Sequence, residues 1–567
     1  MRSNTCVAIT LCCIVLLNVA SLYGQDAPAV SYERLRNAAA EPQNWLSYSG
    51  TYHSQRHSQL RQITPANVKG LEQKWIYQAA VMGPWQATPL VVDGVMYITQ
   101  RPNDVIALDA KTGRTFWVYQ HIPSPNQKAC CGSNNRGLAI LGDTLFLATL
   151  DARLVALNAN TGRPIWDVVV GDIDAAYSMT LAPLVVKDKV IVGVGGGEYG
   201  IRGYIAAYDV ESGAEAWRFY TIPAPGEPGH ETWEPCPPNP ETYCDPNAWE
   251  HGGGSVWLTG SYDAELNLTY WGVGNAGPDW NPSQRPGDNL YTCSVVALDA
   301  DTGELEWHFQ FTPNDRYDYD SVQVPVLVDL DSTDGSTLKL MLWANRNGYF
   351  YVLDRANGRF VSGEPFVKVN WASGLTDSGR PIQTPQPPGA PTWPGNQGGT
   401  NWYSPSFSPS TGLFYLPAWE NYATIFGGVP VQYERGQSFG GGTNRPVVAV
   451  PGAPAVPTLR RGPINTWTEA AASGAVIALD PRTGEQRWTF KMTDVTDSGI
   501  LTTASDILFT GGREGYFQAL DARSGELLWK TNLGGQIVNG PIAYAVEGQQ
   551  YIATISGHSL VAFGLRD

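Results

Sequence analysis

Charge is scarce in this sequence: only 16% of its 567 residues are Asp, Glu, Lys or Arg, and 37 basic residues face 53 acidic ones. A net charge of −16 leaves no broad basic footprint, which sets nucleic acid aside as an expected partner. Past the N-terminus no apolar stretch approaches the length of a membrane-spanning helix, so no membrane span is expected once the leader is removed. The sequence has no Cys-x-x-Cys-His, hence no attachment site for a c-type haem, and no Cys/His cluster that suits zinc.

What is plentiful points to turns and flat packing surfaces. There are 61 Gly and 41 Pro, with 20 Trp, 27 Tyr and 16 Phe, a composition that argues against helical bundles and coiled coils. Met1-Arg2 and an apolar run from about Cys6 to Leu22 read as a secretory signal peptide over 1–24, leaving 25–567 as the working, exported domain. Five cysteines remain. Cys130 and Cys131 are adjacent, Cys236 and Cys244 bracket a Pro-rich loop that a disulfide between them would close, and Cys293 is left over.

A repeated unit organises the chain: an apolar strand ending in Asp or Asn, Gly four residues on, and Trp four residues after that. It reads VIALDAKTGRTFW to Trp117, LVALNANTGRPIW to Trp166, IAAYDVESGAEAW to Trp217, VVALDADTGELEW to Trp307, VIALDPRTGEQRW to Trp488 and FQALDARSGELLW to Trp529. A degenerate copy, FYVLDRANGRF, lacks the Trp. Each unit predicts two strands joined by a tight turn, in which Asp accepts amide hydrogen bonds, Gly takes positive φ and Trp covers a neighbour. The chain ends on HSLVAFGLRD, a first half without a second, and LEQKWIY around Trp75 supplies a second half without a first. Paired, they close an all-β, eight-bladed propeller by its N- and C-terminal strands and leave no free edge. The Gly/Pro-rich inserts 223–254, 374–400 and 426–465 read as loops on the functional face. A non-enzymatic scaffold propeller is the alternative that period and composition leave open.

Oxygen ligands for a hard cation occur in three segments: Glu198 in VGVGGGEYGIRGY, Asn275 in YWGVGNAGPDWN, and Asp318 with Asp320 in TPNDRYDYDSV. Two other motifs compete. Gly195-x-Gly197-x-x-Gly200 matches a dinucleotide fingerprint but leads into a strand pattern, and Gly436-Gln437-Ser438-Phe439-Gly440 matches a hydrolase elbow but precedes Gly/Pro-rich sequence instead of a helix.

From about Trp45 to the C-terminus the sequence resembles the quinoprotein alcohol dehydrogenases, propellers that use pyrroloquinoline quinone (PQQ). The motifs that carry the resemblance are ACCGSNNRGLA, GGGSVW with Asn275 eighteen residues after its Trp, WANRNGYF and GGTNWYSP. It implies a disulfide between Cys130 and Cys131 against the quinone, Trp257 as the stacking floor, and cofactor contacts from Gln86, Arg136, Thr180, Gly196, Gly197, Arg346, Asn401 and Trp402. Two positions depart from the family pattern: Gln86 stands where methanol dehydrogenases carry Glu, and Gly197 where Ala is common.

The resemblance further implies a metal held by Glu198, Asn275, Asp318 and Asp320, with Asp318 as the general base. Asp320 is the residue of the lanthanide-dependent clade, where calcium members carry a small neutral residue. Three carboxylates around one ion favour a lanthanide, with Ca2+ as the alternative. The implied reaction is oxidation of a primary alcohol to an aldehyde by hydride transfer to metal-bound PQQ in the periplasm. A separate soluble cytochrome c is the implied electron acceptor, and a homodimer the implied assembly.

Overall fold

The unit VIALDAKTGRTFW folds into two antiparallel strands, Asp104–Asp109 and Thr115–Tyr119. Asp109 Oδ1 accepts the N–H groups of Lys111 at 2.8 Å and Thr112 at 3.1 Å, and Gly113 takes φ +72°. The indole from the preceding blade then lies across this glycine: a Cβ on Gly113 would come within 2.7 Å of the Trp75 ring. Trp75 Nε1 also donates to the Ala110 carbonyl at 3.1 Å. The same stitch joins Trp117 to Gly162, Trp166 to Gly213, Trp217 to Gly303, Trp307 to Gly358 and Trp488 to Gly525. Each of these indoles donates to a backbone carbonyl of the next turn at 3.0 to 3.2 Å. After the degenerate copy there is no indole, and Gly484 lies against the Glu364 side chain instead.

In the computed structural model, which describes residues 29–238, 243–332, 334–448, 456–457 and 473–566, these units build eight blades. Six four-stranded sheets span 90–119, 139–169, 184–220, 261–310, 326–365 and 406–491, and a seventh blade spans 501–532. The eighth closes the ring: Leu71–Gln78 pairs antiparallel with Ser559–Leu565, with Leu71 opposite Leu565, so both ends of the ring share one sheet. The signal peptide read over 1–24 lies outside the described residues, as do parts of the 426–465 insert.

Blades pack face to face, which explains their burial. The second strand, Val95–Gln100, is buried at every position, whereas the outermost, Thr115–Tyr119, carries exposed residues. The innermost strands are short, three residues each in Leu90–Val92, Ala139–Leu141, Leu184–Val186 and Ser261–Asp263, because the sheets converge on the axis. No described helix is long and apolar enough to cross a membrane.

Two features differ from the sequence reading. His57–Ser58 adds a fifth, parallel strand to the 501–532 blade. The regions read as plain loops also hold small sheets of their own, Ala372–Leu375 with Pro381–Gln383 and Ala423–Gly428 with Gly442–Val448. Inserts of this length that lie over other backbone need partners for their own N–H and C=O groups, and pairing supplies them.

Candidate functional site

Loops from separate blades meet around a cavity of about 580 Å3. Its wall brings together Gln86, Cys130, Cys131, Arg136, Thr180, Gly196, Trp257, Arg346, Asn401 and Trp402 from the sequence prediction, and the carboxylates Glu198, Asp318 and Asp320. Two predicted residues sit behind this wall. Gly197 packs against Ser255 and Gly253, and Asn275 is buried next to Asp320. The 374–400 and 426–465 inserts contribute Asn396, Gln397 and Asn444 to the wall. The Gly195–Gly200 segment, by contrast, runs through a short 3-10 turn, Gly197–Tyr199, into the strand Tyr204–Asp209.

Cys130 and Cys131 are joined by a disulfide, and a second bridge joins Cys236 to Cys244. Cys293 is free and buried. Trp257 follows a glycine turn that nothing larger could make: Gly253, at φ +75°, lies so close to the next strand's loop that a Cβ would sit 2.8 Å from Gly277 N. The Arg136 guanidinium lies 4.9 Å from the Trp257 ring centre and 5.1 Å from that of Trp402. Its Nη1 donates to Thr180 Oγ1 at 2.7 Å, while its Nε is buried without a partner among the described residues, as is Gln86 Oε1. A flat indole floor, a disulfide and orphaned donor and acceptor atoms in a cavity of this size fit a planar, anionic quinone. Arg101, which the sequence reading passed over, adds a further cation to the wall.

The other half of the cavity is acidic. Arg346 is 4% exposed and divides its donors: Nη1 to Asp320 Oδ2 at 2.7 Å, Nη2 to Asp318 Oδ2 at 3.0 Å, and Nε to the Asn396 carbonyl at 2.7 Å. Asp320 Oδ1 accepts the Asn275 N–H at 2.8 Å. Burial, with the Asp320 charge adding to it, pushes the Glu198 carboxyl up to about 7. Burial raises the Asp318 carboxyl as well, against the pull of Arg346. A buried acidic set with one arginine is short of positive charge, and hard oxygen donors of this kind suit a cation of high charge.

Among the wall residues that escaped the sequence reading are Asp279 and the pair Arg513 and Asp497. Asp279 is four residues beyond Asn275 in NAGPD, and burial together with the Glu198 charge raises its carboxyl. Arg513 pairs with Asp497, Nε to Oδ2 at 2.8 Å. A signal for Arg513 was present, since REGYF at 513–517 echoes RNGYF at 346–350.

A family described as "PQQ: Glucose/ethanol/alcohol dehydrogenase, beta-propeller domain" matches residues 45–369. The chain is 38% identical to Quinohemoprotein alcohol dehydrogenase ADH IIB of Pseudomonas putida, over 97% of this chain and 78% of that one. It is 36% identical to Quinoprotein alcohol dehydrogenase PedH, from a Pseudomonas putida strain, over 96% and 91%. Among solved structures, a europium-containing methanol dehydrogenase superposes with a TM-score of 0.84 at 31% identity, covering 94% of this chain and 100% of that one. The quinohemoprotein alcohol dehydrogenase of Comamonas testosteroni superposes with a TM-score of 0.83 at 34% identity, covering 94% and 82%.

Proposed function

Because this chain belongs to the PQQ-dependent quinoprotein alcohol dehydrogenases, we propose that it oxidises primary alcohols to aldehydes in the cavity on the ring axis, with a lanthanide ion beside the quinone. The observation that carries the reading is the meeting of the Cys130–Cys131 disulfide, Trp257 and the Arg346–Asp318 pair in one cavity. When bound, PQQ supplies the two-electron acceptor and the cation a Lewis acid, neither of which amino-acid side chains provide.

The chain's own residues bind, orient and move a proton. Trp257 and the Cys130–Cys131 disulfide would hold the quinone, with Gly196 lining the cavity and Gly197 packed behind it against Ser255. Arg136, Thr180, Asn401, Trp402 and Gln86 line the same cavity and would contact it. Glu198, Asp318 and Asp320, with Asn275 behind them, would hold the cation. Arg346 engages only one oxygen of Asp318 and leaves Oδ1 to take the hydroxyl proton of the alcohol. A cation beside that carboxyl favours its charged form, which a base requires.

The preference for a trivalent ion is supported by three carboxylates against one arginine and by the europium held in a methanol dehydrogenase of the same fold. Calcium is the alternative. The apolar, signal-like run from about Cys6 to Leu22 supports export to the periplasm, while a separate soluble cytochrome c as electron acceptor and pairing as a homodimer rest on the family resemblance. The test is dye-linked alcohol oxidation by protein reconstituted with PQQ and either lanthanum or calcium, over a panel of alcohols. Lanthanum-dependent turnover supports the whole reading. Turnover with calcium alone sinks the metal assignment, and no quinone binding with either ion sinks the function.

A further inference from the structure

The loop after the strand Leu268–Gly272 delivers two polar side chains toward the acidic half of the cavity. Asn275 stays behind the wall, and its Nδ2 is committed to Asp279 Oδ1 at 3.0 Å and the Ala276 carbonyl at 3.4 Å. Asp279 is the residue of this loop that reaches the wall beside Glu198, Asp318 and Asp320, although it is only 6% exposed. Its Oδ2 accepts no hydrogen bond from a described residue, and no described Lys or Arg forms an ion pair with it. The neighbouring Arg285 spends its donors on the Pro278 and Asp315 carbonyls and on Asn289 Oδ1. Arg346 is already divided between Asp318 and Asp320.

We infer that Asp279 is a positioning residue of the cation site, a fourth carboxylate that orients Asn275 and adds the charge that selects a trivalent over a divalent ion. This rests on the reading of the cavity as a site for quinone and cation. Two physical arguments carry it. An amide whose NH2 group is held by a carboxylate presents its oxygen, Oδ1, as the atom left for a cation. Four carboxylates against the one guanidinium paired to them give a local excess of acidic groups in a buried space, which a trivalent ion offsets more fully than a divalent one. Because Coulomb attraction scales with the charge of the ion, loss of one carboxylate weakens a trivalent ion more than a divalent one.

The test uses the full chain reconstituted with PQQ and titrated with europium(III) chloride or calcium chloride, comparing wild type with Asp279→Asn. Europium affinity should fall by at least about tenfold, calcium affinity by less, so the europium-to-calcium ratio drops. The melting temperature of the cation-free protein should hold or rise, since the variant replaces a carboxyl that burial disfavours in its charged form. Asp279→Ser, which removes the charge without supplying an amide, should move the ratio the same way and serves if the first variant does not fold. An unchanged ratio, or an equal loss for both ions together with a lower cation-free melting temperature, overturns the inference. If wild type binds PQQ and turns over alcohol in that case, only Asp279 has been misread. If wild type binds neither PQQ nor cation, the proposed function fails and this inference with it.

Discussion

The ring makes its Arg–Asp clamp twice, and the carboxylates around the two copies are placed differently. In the 326–365 blade, RNGYF places Arg346 just before the strand Tyr349–Asp354, where it holds Asp320. In the 501–532 blade, REGYF places Arg513 just before Tyr516–Asp521, where it holds Asp497. Both aspartates are followed by serine, both arginines are buried, and both clamps line the same cavity. One difference lies two residues upstream, although the second clamp keeps its own buried carboxylate neighbour, Asp494. Asp318 precedes Asp320, whereas Val495, fully buried, precedes Asp497. Glu198 and Asp279 stand by the first clamp, and Trp419 lies under Arg513 in the second, 4.9 Å from ring centre to guanidinium. The repeat builds a paired charge. The carboxylates around the first copy are the ones to which the proposed function assigns a cation and a proton.

Asp318→Val gives the first clamp the sequence of the second and should have the largest effect. Alcohol oxidation by PQQ- and lanthanum-loaded protein should fall by about 10²–10⁴-fold, while the cation-free melting temperature holds or rises. A variant that keeps wild-type turnover would remove Asp318 from the chemistry.

Truncating the arginines sharpens the comparison. Arg346→Met and Arg513→Met each leave a buried aspartate without its cation and should each cost about 3 kcal/mol in urea unfolding. Only the first should also abolish turnover per folded molecule. Equal losses of activity would mean that both clamps serve the reaction.

A third buried pair, Arg355–Asp263 at 2.7 Å, is not part of the cavity wall and calibrates the other two. Burial works to raise the Asp263 carboxyl, yet Arg355 and the N–H groups of Leu266 and Glu265 hold it below the usual value of 3.8. A depressed carboxyl stabilises the fold fully above 3.8, and that contribution disappears as the pH falls through its lowered pKa. The melting-temperature deficit of Asp263→Asn should therefore be full at pH 6 and shrink below pH 4, as scanning calorimetry would read. A deficit that stays constant into acid would mean that packing, not charge, holds the pair.

The smallest effect belongs to the outer turns. Half-buried Asp299 accepts through Oδ1 from the N–H groups of Asp301 and Thr302, both at 2.9 Å, and through Oδ2 from Asn267 Nδ2 at 2.9 Å. Asp299→Ala should cost about 1 kcal/mol or less and leave turnover unchanged, because no site residue touches that turn.

The turns, the Trp stitch and the closing sheet were legible in the sequence, since each rests on contacts within a unit or between identical units. The fifth strand His57–Ser58 was not, because it pairs with a segment more than 400 residues away that carries no matching pattern. The sheets inside the inserts were hidden by the same Gly and Pro content that marked those regions as loops. Within the site, Arg346 and Asp318 could be read from motifs and Arg513 from its echo of the Arg346 segment. Asp279 could not: a spacing of four residues in a loop says nothing about direction, and it reaches the cavity because the chain folds back beneath Gly253 and Gly254.

The sequence by itself determined the unit of this protein. Strand length, Asp-to-Gly turn and Trp spacing are settled by hydrogen bonds and packing within about a dozen residues and by the repetition of one docking surface. Which carboxylates face one another was decided only by the tertiary structure. Glu198, Asp279 and Asp318 come from loops of different blades, and their separation is set by closure of the ring where Leu71–Gln78 meets Ser559–Leu565. No local rule measures that distance, because it depends on how every blade packs on the next.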